Sequence, residues 1–125
     1  MQHSVSKLRT LIIDDVANVR QHLRQILLQL NIIDVIEAED GLSAAKLFAE
    51  YKPELVFLDL QLPDANGQQL LKQFKQAREH TRVFIISAYS TVDNLQQAFE
   101  SGASAFVTKP ISAHRIHNLM QSLLV

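Results

Sequence analysis

The stretch Leu55-Val56-Phe57-Leu58-Asp59 decides how this chain is read: an apolar run short enough for a buried strand stops at a carboxylate. Comparable runs rich in β-branched residues occur at Leu8–Ile13, Asp34–Glu37, Val83–Ser87 and Ala105–Thr108, so five strands are expected. Helical patterns lie between them. Val19, Leu23, Ile26, Leu27 and Leu30 fall on one face of a first helix. Similar stripes run through Ala45/Leu47/Phe48, Leu70/Leu71/Phe74, Leu95/Ala98/Phe99 and Ile116/Leu119/Met120/Leu123. The alternation is (βα)₅, and it predicts an α/β domain with a parallel sheet, right-handed crossovers and helices on both faces. Ligand sites in such sheets lie at the carboxyl ends of the strands. Gly41 and Gly67 follow the second and third strands, and Gly102 falls where the fourth helix should end.

Bulk properties narrow the function classes. The 125 residues match one compact domain, and 47% of them are hydrophobic, enough for a buried core. Twelve Lys and Arg nearly balance thirteen Asp and Glu, so no strong field favours nucleic acid or an anionic membrane surface. Cysteine is absent, which removes disulfides, thiolate catalysis and cysteine zinc sites together and is compatible with a reducing cytosol. The apolar runs are too short to span a bilayer, and Met1–Lys7 lacks the apolar core of a signal peptide. The expectation is a flexible tail at residues 1–7 followed by one cytoplasmic domain over residues 8–125.

The chemistry gathers at strand ends. Asp14 and Asp15 follow Leu11-Ile12-Ile13 just as Asp59 follows its own run, and the three carboxylates converge if the first and third strands are neighbours. Crowded carboxylates repel one another unless a hard, oxygen-preferring cation neutralises them, and Mg²⁺ suits such a cluster while leaving room for phosphate oxygens. Ser87 ends the fourth run and Lys109 follows the fifth, which adds a hydroxyl and an ammonium to the same rim. A carboxylate nucleophile, a metal, a hydroxyl donor and a cation are the parts that stabilise a phosphoryl group in transfer. Taken singly, each has a plainer reading as a solvated acid, a turn serine or a surface lysine. His114 and His117 lie one turn apart but lack a third ligand nearby in sequence and are read as surface residues. No glycine-rich phosphate loop is present, which argues against a nucleotide substrate.

In order and spacing, Leu11-Ile12-Ile13-Asp14-Asp15, Phe57-Leu58-Asp59-Leu60-Gln61-Leu62-Pro63 with Gly67, Ser87-Ala88, Gly102-Ala103 and Phe106-Val107-Thr108-Lys109-Pro110 resemble the receiver domains of bacterial two-component systems. The resemblance runs from about Leu8 to Leu124. It implies a flavodoxin-like, doubly wound sheet of order 2-1-3-4-5, with Asp59 as phosphoacceptor and Mg²⁺ (Mn²⁺ as a substitute) as cofactor. By the same resemblance Asp15 and Asp59 bind the metal directly, Asp14 partly through water, and Gln61 through its backbone carbonyl. Ser87, the Ala88 backbone N–H and Lys109 would bind phosphoryl oxygens, and Ser87 with Phe106 would form the switch. Gln61 and Tyr89 stand where the family tunes phosphoryl lifetime, and Lys109–Pro110 where it has a cis bond. The implied partners are a histidine kinase or histidine phosphotransfer protein and an output domain or target of unknown kind, with room for a phosphorylation-dependent dimer.

Such a domain is a signalling switch that catalyses only its own phosphorylation and dephosphorylation. Its conformational change is expected on the face of the fourth helix, fifth strand and fifth helix. One alternative is an unphosphorylated interaction module of the same fold, whose sign would be loss of Asp59 or Lys109, yet both are present. The other is an aspartate-nucleophile phosphatase of the haloacid dehalogenase type. That class resembles Asp-x-Asp, whereas the residue two after Asp59 is Gln61, which is no acid. Winged-helix regulators of the family tend to carry an acidic pair and a tyrosine before the lysine, where this chain has Ser104-Ala105-Phe106.

Overall fold

The computed structural model describes residues 8–124, so the tail expected at residues 1–7 lies outside the described residues. The elements run β1 (Thr10–Ile13), α1 (Ala17–Gln29), β2 (Val35–Ala38), α2 (Gly41–Tyr51), β3 (Leu55–Asp59), α3 (Gly67–Ala77), β4 (Arg82–Ser87), α4 (Val92–Glu100), β5 (Ala105–Thr108) and α5 (Ala113–Leu124). All strand pairs are parallel, in the order β2-β1-β3-β4-β5, as expected for a flavodoxin-like sheet.

Side chains along β3 alternate between two cores because strand residues point to opposite faces. Val56 and Leu58 join Leu11, Ile13, Val83 and Ile85 under α2, α3 and α4. Leu55 and Phe57 join Ile12, Phe84 and Ile86 under α1 and α5. The aromatic residues reinforce each layer: Phe48 of α2 stacks on Phe74 of α3 at 4.1 Å, and Phe57 meets Phe84 edge-on at 5.4 Å. Burying a side chain of this size contributes about 1.5–3 kcal/mol, so the β3 run anchors both layers.

Two helices depart from the expected stripes. In α2 the buried alanine is Ala44 rather than Ala45, because capping by Asp40, whose carboxylate accepts the Ser43 amide at 2.8 Å, fixes the helix phase. In α4 only Ala98 is fully buried. Phe99, expected in the core, is largely exposed, and so is Val92, because this nine-residue helix rests lightly on the sheet. At the end of α4, Gly102 takes a φ of 104°, a conformation that disfavours any Cβ.

Candidate functional site

β3 lies between β1 and β4, so its last residue, Asp59, comes up beside the β1–α1 loop that carries Asp14 and Asp15. One carboxylate oxygen from each of the three residues lies within 4.8 Å of the others, and this is the one cluster of three or more metal-capable side chains among the described residues. Asp14 is fixed from several sides. Its amide donates to the Ala38 carbonyl at 3.1 Å, its Oδ1 accepts the Val16 amide at 2.8 Å, and its carbonyl accepts the Arg20 guanidinium at 2.6 Å. Arg20 in turn pairs with Glu37 at 2.9 Å.

Lys109 arrives from the end of β5, across a cis peptide bond to Pro110 that matches the expected one. Its Nζ lies 2.7 Å from Asp14 Oδ2 and donates to Asp59 Oδ2 at 3.2 Å. The other Asp59 oxygen accepts the Gln61 amide at 3.1 Å. Burial pushes the Asp59 carboxyl above its ordinary range and Asp14 adds to the push, against the pull of the Gln61 amide and Lys109. For Lys109 burial works the other way, but the carboxylates of Asp14 and Asp59 outweigh it and hold the ammonium above its ordinary value. The Asp14 Oδ2 atom is buried and is met by the Lys109 ammonium as an ion pair. Three carboxylates crowded into an all-oxygen set, with one lysine against them, fit a hard divalent cation.

The cluster opens into a cleft of about 360 Å³ lined by Asp15, Asp59, Gln61, Ala88, Tyr89 and Lys109, with Leu62 and Pro63 on one side. Six of the nine residues singled out in the sequence therefore share one cavity. Asp14 lies beneath it. Ser87 is buried, and its hydroxyl is turned to its own loop: Oγ accepts the Tyr89 amide at 3.0 Å and donates to the Tyr89 carbonyl at 3.4 Å. Phe106 is 7% exposed, its ring already packed in the core under α2, α3 and α4. His114 is exposed, as expected, and bonds Asn118, whereas His117 is half-buried.

Sequence reasoning passed over three residues that shape this rim. Arg20 braces the Asp14 carbonyl. Asp64 accepts the Gly41 and Leu42 amides at 2.6 and 3.1 Å and so ties the β3–α3 loop to the start of α2. Asn66 caps α3 by accepting the Gln68 amide at 2.9 Å. The cluster Pro63-Asp64-Ala65-Asn66-Gly67 is a turn and cap signal that points to Asn66, but nothing local pairs Asp64 with another helix.

The chain is similar to several known proteins. The chain is 34% identical over 108 residues to the chemotaxis protein CheY of Bacillus subtilis, covering 86% of this chain and 90% of that protein. It is 30% identical over 116 residues to the sporulation initiation phosphotransferase F of the same species, covering 93% of each. It also matches the response regulator protein PilR of Pseudomonas aeruginosa at 32% identity, but spans only 27% of that longer protein. Among solved structures, the signal receiver domain of a LuxO-type repressor protein from Vibrio parahaemolyticus superposes with a TM-score of 0.85 at 30% identity, covering 93% of this chain and 88% of that one. The model of the response regulator receiver domain matches residues 10–121, a span that holds the whole sheet and every residue of the cleft, and the chain belongs to that family.

Proposed function

We propose that the chain is the phosphoacceptor switch of a two-component phosphorelay, with Asp59 receiving a phosphoryl group from a phosphohistidine on a histidine kinase or histidine phosphotransfer protein. The observation that carries this reading is the poise of Asp59, whose two oxygens are held by the Gln61 amide and by Lys109 at the floor of an open cleft. An Asp59 oxygen attacks phosphorus, the N–P bond of the donor breaks, and the departing imidazole keeps the electron pair and takes up a proton. Lys109 follows the charge onto the phosphoryl oxygens. Asp15, Asp59 and the Gln61 carbonyl would hold Mg²⁺, with Asp14 acting partly through water and Mn²⁺ as a substitute. When bound, the ion neutralises charge on the phosphoryl oxygens.

The Ala88 amide and the Ser87 hydroxyl complete the phosphoryl contacts once Ser87 leaves Tyr89. Phe106 backs that movement as a wall already turned inward, and the change reaches the α4-β5-α5 face. The domain acts in the cytoplasm and on its own phosphorylation state only. No helix among the described residues is long and apolar enough to cross a membrane.

Incubation with Mg²⁺ and acetyl phosphate or phosphoramidate should add one phosphoryl group, read by intact mass, and Asp59→Asn should gain none. Equal labelling of that variant, or labelling unaffected by chelation, would refute the assignment.

A further inference from the structure

Two amide side chains outside the cleft connect its switch serine to the neighbouring helices. Gln68, in the first turn of α3, is 6% exposed, and its Nε2 donates to the Asn94 carbonyl in α4 at 3.1 Å. The other end of this amide, Oε1, is buried without a partner. Among the described residues this is the one side-chain hydrogen bond that joins α3 to α4. A leucine of similar size would fill the site without an orphaned oxygen, so what the amide contributes here is its bond to α4. Asn94 passes the connection on. Its backbone amide is capped by Thr91 Oγ1 at 3.1 Å, and its Nδ2 donates to the Tyr89 carbonyl at 3.0 Å. That carbonyl is the same one that engages Ser87 Oγ, while the Tyr89 amide donates back to Ser87.

We propose that Asn94, supported by Gln68, is a positioning residue that holds the β4–α4 loop folded back on Ser87 and thereby sets how readily the serine turns toward a phosphoryl group on Asp59. The proposal rests on the phosphoacceptor reading. Because α4 buries only Ala98 fully, these polar contacts weigh heavily in where its first turn sits. Asn94 fixes the Tyr89 carbonyl, the carbonyl and amide of Tyr89 occupy the Ser87 hydroxyl, and Ser87 reaches a phosphoryl oxygen only when that arrangement opens. Contacts made in one arrangement and lost in the other bias the equilibrium by their own free energy.

The test is a titration of the whole chain with beryllofluoride, a phosphoryl mimic, in saturating Mg²⁺, followed by amide NMR signals of Ser87, Ala88 and Tyr89. Removing one such hydrogen bond in Asn94→Ala should tighten apparent binding about 3- to 10-fold. Gln68→Leu should tighten it about twofold, and the double variant should match Asn94→Ala alone, because both residues act through one chain of bonds. In a Ser87→Ala background the Asn94→Ala gain should vanish, which a merely structural role would not produce. Asn94→Asp, which keeps an acceptable first-turn residue but loses the donor, carries the same expectation if Asn94→Ala fails to fold. Unchanged or weaker binding in the Asn94 variants, additive effects, or a gain that survives without Ser87 would overturn the proposal. If wild type itself binds no beryllofluoride, the phosphoacceptor reading fails instead.

Discussion

The loops after β3 and β4 flank the same cleft but are built differently. The β3–α3 loop is fastened at both ends: Asp64 grips the α2 amides, Asn66 caps α3, and the Gly67 amide donates to the Leu60 carbonyl at 3.0 Å. Its backbone passes so close to β3 that a Cβ on Gly67 would lie 2.7 Å from the Asp59 carbonyl oxygen. The β4–α4 loop is also held by side-chain bonds, from Ser87, Thr91 and Asn94, but these stay within the loop and the first turn of the helix it enters, whose Val92 is 78% exposed. Under the proposed function, chemistry that needs fixed geometry would fall to the first loop and a response that needs movement to the second. On that reading, the loop after β4 is the one expected to shift when charge changes at Asp59.

The sharpest way to break this contrast is to load the rigid side. Gly67→Ala forces a methyl group into the β3 backbone and should cost about 3 kcal/mol in urea unfolding, whereas Val92→Ser on α4 should stay within about 0.5 kcal/mol. Similar losses at both positions would mean that the two loops are equally constrained.

A smaller effect probes the floor of the cleft. Since the Asp59 pKa is raised by folding, its ionised form opposes folding above that pKa, and the cost disappears as pH falls through the raised value toward 3.8. Asp59→Asn should therefore raise the melting temperature by about 2–5 °C at neutral pH, and the advantage should shrink in acid. An advantage that grows on acidification would reverse the assigned sign.

The smallest expected effect on stability concerns Tyr89, which is 56% exposed and lines the cleft from the β4–α4 loop. Tyr89→Ala should change unfolding free energy by less than about 0.5 kcal/mol. We nonetheless expect it to speed loss of the phosphoryl group several-fold, by opening a path for in-line water. Timing decay at saturating Mg²⁺ checks this, and equal or slower decay in the variant would leave Tyr89 as a surface contact.

The sequence by itself determined the alternation of strands and helices and the list of rim residues. Where an apolar run stops is a local event, and Asp14, Asp59, Ser87 and Lys109 are all read from such stops. Receiver-like spacing then linked them into one proposed chemistry. What only the tertiary structure decided are the contacts between segments far apart in sequence. Lys109 reaches Asp59 across 50 positions, and Asp64 caps α2 across 22 and 23, because strand order brings their loops to one edge. The same holds for burial on α2 and α4. Helical spacing offered Ala45, Ala98 and Phe99 as core residues; Ala98 is buried as expected, but Phe99 is half-exposed and Ala44 takes the inner place instead of Ala45. The direction of the Ser87 hydroxyl was also a tertiary outcome, since it follows from the turn of the loop onto Tyr89 and the reach of Asn94 from the next helix. Local pattern encodes period and termination, while partner choice depends on which strands become neighbours and how each helix lies on the sheet.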